Sequence, residues 1–177
     1  MIVIPVNCVG VLGCGVAKRF KDIYKYRVDS MGASSVQFYE YLCDTNNANI
    51  MSKITSSNIH GYFRPYLNLG IHVGTIRIYK CKVSSQQIIF FPTKHHFKNK
   101  SELSHIERGL QKLVLFAERS AVEGSLKTMS VPALGCGAGG LNWQDVKPIM
   151  KHYLSQIPNV KITIFMPLFN TKPKSTK

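Results

Sequence analysis

The chain has no C-x-x-C pair. Its five cysteines, Cys8, Cys14, Cys43, Cys81 and Cys136, are scattered and odd in number. That pattern argues against a structural zinc site and a disulfide scaffold, and it fits a reduced, cytoplasmic setting. No run reaches the apolar length of a membrane span. Met1-Ile2-Val3-Ile4-Pro5 carries no basic n-region, so a signal peptide is not expected. Acidic residues are scarce: 9 Asp and Glu stand against 23 Lys and Arg, a net charge of +14. Such an excess favours a polyanionic partner or an anionic substrate, with a basic surface of no specific role as the plainer alternative. What is present is a 177-residue chain, 45% hydrophobic. It is long enough to bury a core without staples and is most simply one globular domain. The expected extent is 1–170, followed by a frayed basic tail, Thr171 to Lys177. No internal repeat is visible.

Strands and helices alternate along the chain. Met1 to Val6 reads as a buried strand, interrupted or ended by Pro5. Val16, Ala17, Phe20, Ile23 and Tyr24 fit one face of a helix. Val36 to Leu42 is read as a short helix, and Asp44 to Tyr66 as a long irregular excursion. Ile71–Tyr79 and Gln87–Phe91, the latter stopped by Pro92, form an expected hairpin. Ser101 opens an amphipathic helix to about Ala121, with Leu103, Ile106, Leu110, Leu113, Val114 and Ala117 as its apolar stripe. Leu126 to Val131 is a strand. A helix follows, starting at Trp143 or Asp145, with Pro148 favouring the later start. Val160 to Met166 is the last strand. The fold class is therefore α/β with a central sheet.

Two glycine-rich loops follow strands. The first is Val6-Asn7-Cys8-Val9-Gly10-Val11-Leu12-Gly13-Cys14-Gly15, and the second is Val131-Pro132-Ala133-Leu134-Gly135-Cys136-Gly137-Ala138-Gly139-Gly140-Leu141. Glycines remove the Cβ atoms that keep backbone N–H groups away from a phosphate, and a following helix adds a positive dipole end. Each loop alone is equally readable as a tight turn between packed elements. Neither fits a P-loop, which needs a Gly-Lys-Ser/Thr ending, nor a dinucleotide fingerprint. Ligands of open α/β sheets sit beyond the carboxyl ends of strands. Both loops and Thr93-Lys94-His95-His96 follow strands, so all three are placed to line one crevice.

The two loops, together with Asn7 and Phe91-Pro92-Thr93-Lys94 between them, resemble the macrodomain family of ADP-ribose-binding modules. The likeness is strongest to the branch of DarG-type antitoxin macrodomains, which remove ADP-ribose from DNA bases, and to their phage and bacterial relatives. It covers most of the chain except Ser30 to Leu67 and the tail. The resemblance implies a three-layer α/β/α fold with a central mixed sheet. It implies that Asn7 binds hydroxyls of the distal ribose. Gly13, Cys14, Gly15 and Val16 would contact that ribose and the pyrophosphate through backbone amides. Gly135, Cys136, Gly137, Ala138 and Gly139 would wrap the diphosphate from the other side, with Thr93 also at the site. Lys94 matches a catalytic lysine, whose nitrogen would attack the anomeric carbon C1″ after ring opening or stabilise charge there. An attacking amine must first give up its proton, which a pocket and a cation such as His95 favour. Without the family, Lys94 reads as a surface lysine beside Lys98 and Lys100.

Some lysine-using relatives carry an aspartate where Gly139 stands, although the DNA-directed branch does not. The Gly-Asp-Ile/Leu strand by which many macrodomains read adenine has no counterpart here. Adenine recognition then falls to Asp22, to the 44–66 excursion, or to Phe165, for which a core role is as good a reading. His95 and His96 are candidate acid–base or orienting groups, or solvated neighbours. Trp143 is read as packing under the second loop, and Cys14 and Cys136 as small packing residues rather than nucleophiles. No cofactor or metal is implied, and a monomer is expected.

Three functions follow. The first is an ADP-ribosyl glycohydrolase acting on a modified nucleic acid or protein, in a bacterial or phage-infected cell. The second is an ADP-ribose-1″-phosphate phosphatase assisted by His95 or His96. The third is a non-catalytic reader of ADP-ribose, which needs the loops but not Lys94.

Overall fold

The computed structural model describes residues 1–9, 14–20, 37–42, 50–53, 72–81 and 87–167. Gly13, Asp22 and the basic tail lie outside them. The described strands are β1 (Ile2–Asn7), β2 (Gln37–Leu42), β3 (Ile50–Lys53), β4 (Arg77–Cys81), β5 (Gln87–Lys94), β6 (Thr128–Pro132) and β7 (Lys161–Phe165). The helical elements are α1 (15–20), α2 (Leu103–Val122) and α3 (Trp143–Leu154). The strands form one mixed sheet in the order β3-β2-β4-β5-β1-β6-β7. The run β5-β1-β6-β7 is parallel. β4 joins β5 antiparallel, and β2 and β3 continue antiparallel beyond it.

β5 explains the layering. Ile88, Ile89, Phe90 and Phe91 are all fully buried, as expected for a strand covered on both faces. Successive side chains of a strand point to opposite faces. Phe90 meets Phe20 of α1 edge-on, with ring centroids 5.6 Å apart. Phe91 faces the other way, against α2, where Gly109 leaves room for its ring: a Cβ there would overlap the Phe91 ring. Helix α2 buries Ile106, Leu110, Leu113, Val114 and Ala117, and α3 buries Val146, Met150 and Leu154 beside them. These side chains share one core with Val3, Ile89, Phe91, Met129 and Val131. Helices thus cover both faces of the sheet, and the fold is the expected three-layer α/β/α arrangement.

Several local expectations are corrected. Val36–Leu42 is not a helix: residues 37–42 form β2, paired with β3 on one side and β4 on the other. So short a segment cannot nucleate a helix against two waiting strand edges. The 44–66 excursion contains β3, so it is not wholly irregular. The strand expected from Ile71 begins only at Arg77. Gly74 adopts φ +82°, and the Thr75 N–H donates to the His72 carbonyl, making a turn before it. β5 continues through Pro92 to Lys94. β4 begins opposite Phe90, so beyond that point only the β1 flank of β5 needs ladder bonds and a missing N–H is tolerated. Likewise Pro5 does not end β1, whose pairing with β6 is confined to Ile2. Helix α3 starts at Trp143 because the Asn142 side chain accepts from the Gln144 N–H (3.1 Å). Pro148 therefore sits inside the helix on an exposed face, where water can serve the carbonyl left without a donor. Leu103, assigned to the apolar stripe, is exposed, as is Phe165 at the end of β7, so a core role for Phe165 is excluded.

Candidate functional site

Three parallel neighbours, β5, β1 and β6, end at the same edge of the sheet, in Lys94, Asn7 and Pro132. The connection after β1 leads into α1 on one face, while that after β5 leads into α2 on the other. Connections leaving to opposite faces open a crevice between the strand ends. A cleft of about 180 Å³ lies there. Among its lining residues are Asn7, Cys14, Gly15, Val16, Thr93, Lys94, Gly135, Gly137, Ala138 and Gly139. Ten of the expected site residues are therefore brought together by the fold.

A bulge sets the positions of Asn7 and Lys94. Val6 pairs with Pro92, but Asn7 pairs with Lys94, so Thr93 is the extra residue on β5. Bulges turn side chains and end pairing, and they are common beside active sites. The Thr93 hydroxyl donates to the Val6 carbonyl (3.3 Å) across the bulge. The Cys8 N–H bridges the carbonyls of Lys94 and His95, both at 3.1 Å. The Asn7 Oδ1 accepts from the Val9 N–H (3.2 Å), a local turn that fixes its side chain. Asn7 and Lys94 thus stand on adjacent strands as cross-strand partners.

Lys94 is 7% exposed. Its Nζ donates to the Ala138 carbonyl (2.7 Å) and to the Phe97 carbonyl (3.0 Å). A buried amino group needs such partners. One belongs to the second glycine loop and the other to the turn after β5, so Lys94 ties the two together. Two fixed bonds leave one tetrahedral direction of the nitrogen for the cleft it lines. The plain surface-lysine reading is excluded.

The second glycine loop is built by its own backbone. Cys136 N–H donates to Ala133 O, Gly140 N–H to Gly137 O, and Leu141 N–H to Gly135 O. Gly135 has φ +73°, and a Cβ on it would lie 2.7 Å from Leu141 Cδ1. A Cβ at Gly139 would collide with Ser101 Oγ and the Gly135 carbonyl. The Ser101 N–H donates to the Gly139 carbonyl (2.8 Å), so the start of α2 braces the loop from beneath. This crowding explains why an aspartate has no place at Gly139 here. Gly137, by contrast, has open space where a Cβ would be, as a backbone approached by a ligand requires.

Other expected residues fall outside the cleft lining. Cys136 turns inward against the core, its thiol donating to the Leu134 carbonyl, and burial pushes it up to about 11. Trp143 is buried and packs in the core, as expected. His95 is exposed and meets His105 edge-on, with centroids 5.3 Å apart. The His96 Nδ1 accepts from the Lys98 N–H (3.2 Å). Neither histidine lines the cleft, nor does Phe165. Sequence reasoning missed Pro5, Val6, Ala17, Pro132 and Ala133, which line it as strand ends and first helical turn. Their position within the glycine loops or beside them was the available signal. The Phe97 carbonyl left none, because any residue type supplies it.

A family model described as "Macro domain" matches residues 42–150. The chain is 32% identical to a DNA ADP-ribosyl transferase–DNA ADP-ribosyl glycohydrolase fusion protein of Thermosipho africanus (strain H17ap60334), over 94% of this chain but 38% of that protein. It therefore spans little more than a third of that curated relative. Two solved structures are also similar. The macrodomain of Mycobacterium tuberculosis DarG is 27% identical, with a TM-score of 0.63 over 94% of this chain and 88% of that one. Thermosipho africanus DarTG in complex with ADP-ribose is 29% identical, with a TM-score of 0.65 over 94% of this chain and 38% of that one. With well over half of the chain matched and the expected layers and strand-end cleft in place, the chain belongs to the macro domain family.

Proposed function

We propose that the chain is an ADP-ribosyl glycohydrolase that releases ADP-ribose from modified DNA. In this reading the glycine loops hold the diphosphate, Asn7 binds the distal ribose and Lys94 acts at C1″. The observation that carries it is that the Nζ of buried Lys94 is held by two carbonyls, in a residue that lines the same cleft as Asn7. Both roles of a lysine fit that geometry. As an ammonium, its third N–H faces the cleft and stabilises charge on the sugar or the leaving base. As a neutral amine, its two N–H groups serve the carbonyls and its lone pair takes the third direction, toward C1″ of the ring-opened sugar. The new C1″–N bond forms, the C1″–base bond breaks as the base leaves with a proton, and water then releases ADP-ribose and the lysine. The DNA-directed activities for which the similar T. africanus fusion protein is named support a DNA substrate, as does the net charge of +14. The phosphatase reading relied on His95 or His96, and their absence from the cleft lining weighs against it.

The test compares wild type with Lys94→Ala on ADP-ribosylated single-stranded DNA, ADP-ribosylated protein and ADP-ribose-1″-phosphate, with calorimetry for free ADP-ribose. The expected result is release from DNA that falls at least about 100-fold in the variant, the scale of a lost proton-transfer or charge-stabilising group, with ADP-ribose binding retained. Phosphate release indifferent to Lys94 would point to the phosphatase. Binding without turnover in wild type would leave a reader.

A further inference from the structure

Lys94 is the last buried residue before a turn that faces outward. His95 and residues 97–100 are exposed, and His96 is half-buried. The turn reads His-His-Phe-Lys-Asn-Lys and contains no acid. The next carboxylate along the chain, Glu102, faces His105, with Oε2 3.6 Å from Nε2. Phe97 leaves 44% of its surface in water. The His96 ring lies against it, with centroids 4.1 Å apart and planes inclined by 33°. Lys98 Nζ stands 6.0 Å from the Phe97 ring centre. The ledge is held in shape: the Lys98 N–H bonds His96 Nδ1, and the Asn99 N–H bonds the His96 carbonyl (3.0 Å). The carbonyl of the same Phe97 accepts from Lys94 Nζ. One turn therefore carries an exposed phenylalanine backed by a half-buried histidine, flanking cations and an anchor of the candidate catalytic lysine.

Nucleic-acid single strands are bound where aromatic faces stack bases and neighbouring cations follow the backbone. A duplex offers no free base face to such a ledge, and a protein partner gives no reason for the cations at its edge. We propose that the turn His96–Lys100 is a docking platform for single-stranded DNA. Phe97, backed by His96, stacks a base beside the modified nucleotide, and Lys98 and Lys100 meet the adjoining phosphates. This assignment rests on the DNA substrate proposed above and gives it a surface.

The experiment is fluorescence anisotropy of an unmodified single-stranded oligonucleotide with the full chain, across a salt series. Phe97→Ala is expected to weaken binding about tenfold without changing the salt slope, and Phe97→Trp to restore it. Lys98→Ala is expected to reduce the slope of log K against log salt by about 0.7. A purely structural role for Phe97 would lower the melting temperature and would not discriminate between the two replacements. The platform is overturned if Phe97→Ala leaves the affinity unchanged, if a duplex of the same sequence binds as tightly, or if no binding occurs at low salt. That last result would leave the ledge to a protein partner. Wild type that binds through Phe97 but releases no ADP-ribose would sink the glycohydrolase reading and keep the platform. Release of ADP-ribose that is indifferent to Phe97 would do the reverse.

Discussion

The sheet has a parallel half, β5-β1-β6-β7, and an antiparallel half, β4-β2-β3, and only the first carries the cleft. Parallel strands all deliver their carboxyl ends to one edge, so the loops after β1, β5 and β6 converge there. Antiparallel neighbours alternate in direction, so their ends are divided between the two edges. β5 is buried along almost its whole length, and its two central phenylalanines are claimed by helices on opposite faces. The difference shows that strand direction, before residue identity, decides where the cleft forms. Asn7 and Lys94 stand side by side because a parallel pair carries one extra residue there.

The comparison breaks most visibly at Gly139. Gly139→Ala places a methyl against Ser101 Oγ and the Gly135 carbonyl. Overpacking of this kind costs about 1–3 kcal/mol. If the strain is relieved by moving the loop, ADP-ribose affinity falls about tenfold for each 1.4 kcal/mol. Calorimetry and thermal melts check both effects. Gly137→Ala, where no atom lies within 4 Å of the added Cβ, is expected to leave the melting temperature in place. A smaller effect sharpens the contrast from the other half. Ile78 in β4 is 1% exposed, and Ile78→Val is expected to cost about 1 kcal/mol in denaturant unfolding while leaving ADP-ribose affinity intact. A parallel loss of affinity would show that the antiparallel half shapes the site after all.

The smallest expected effect concerns pH. His105 is buried in α2, and its Nδ1 has no hydrogen-bond partner. Burial holds the imidazole below its usual value of 6.5, Glu102 opposes that shift, and the facing His95 and Arg108 add to it. Below that value the unfolded chain takes up a proton that the folded chain resists. Stability contributed by neutral His105 is therefore present above the unfolded value and lost as pH falls through it toward the depressed folded value. The melting temperature is expected to drop as pH falls below the unfolded value of 6.5, and a His105→Phe variant is expected to lose that part of the dependence.

The parallel half was largely legible in the sequence. Its strands are rich in β-branched and aromatic residues, β1 and β6 lead into the glycine loops, and those loops with Asn7 and Lys94 carried the family likeness. Helix α2 announced itself by its stripe, apart from Leu103, which falls at the exposed start where periodicity is weakest. Of the antiparallel half, only the β4–β5 hairpin was legible. β2 looked helical because seven residues give too short a window for period, and its partners β3 and β4 decide the matter from a distance. Within the site, the side chains were foreseeable but their supports were not. The bulge at Thr93 and the brace of Ser101 beneath Gly139 are backbone relations between segments far apart in sequence, and the Phe97 carbonyl, though only three residues from Lys94, is a group every residue type carries.

The central claim is that the bulged ends of β1 and β5 hold Asn7 and Lys94 at the distal ribose. A crystal structure of the chain with ADP-ribose tests it most directly. The account predicts the diphosphate between the glycine loops, the Asn7 side chain on the distal ribose hydroxyls, and Lys94 Nζ facing C1″ along its third direction. A distal ribose turned away from Lys94, with Nζ still shared only between the Phe97 and Ala138 carbonyls, would contradict it.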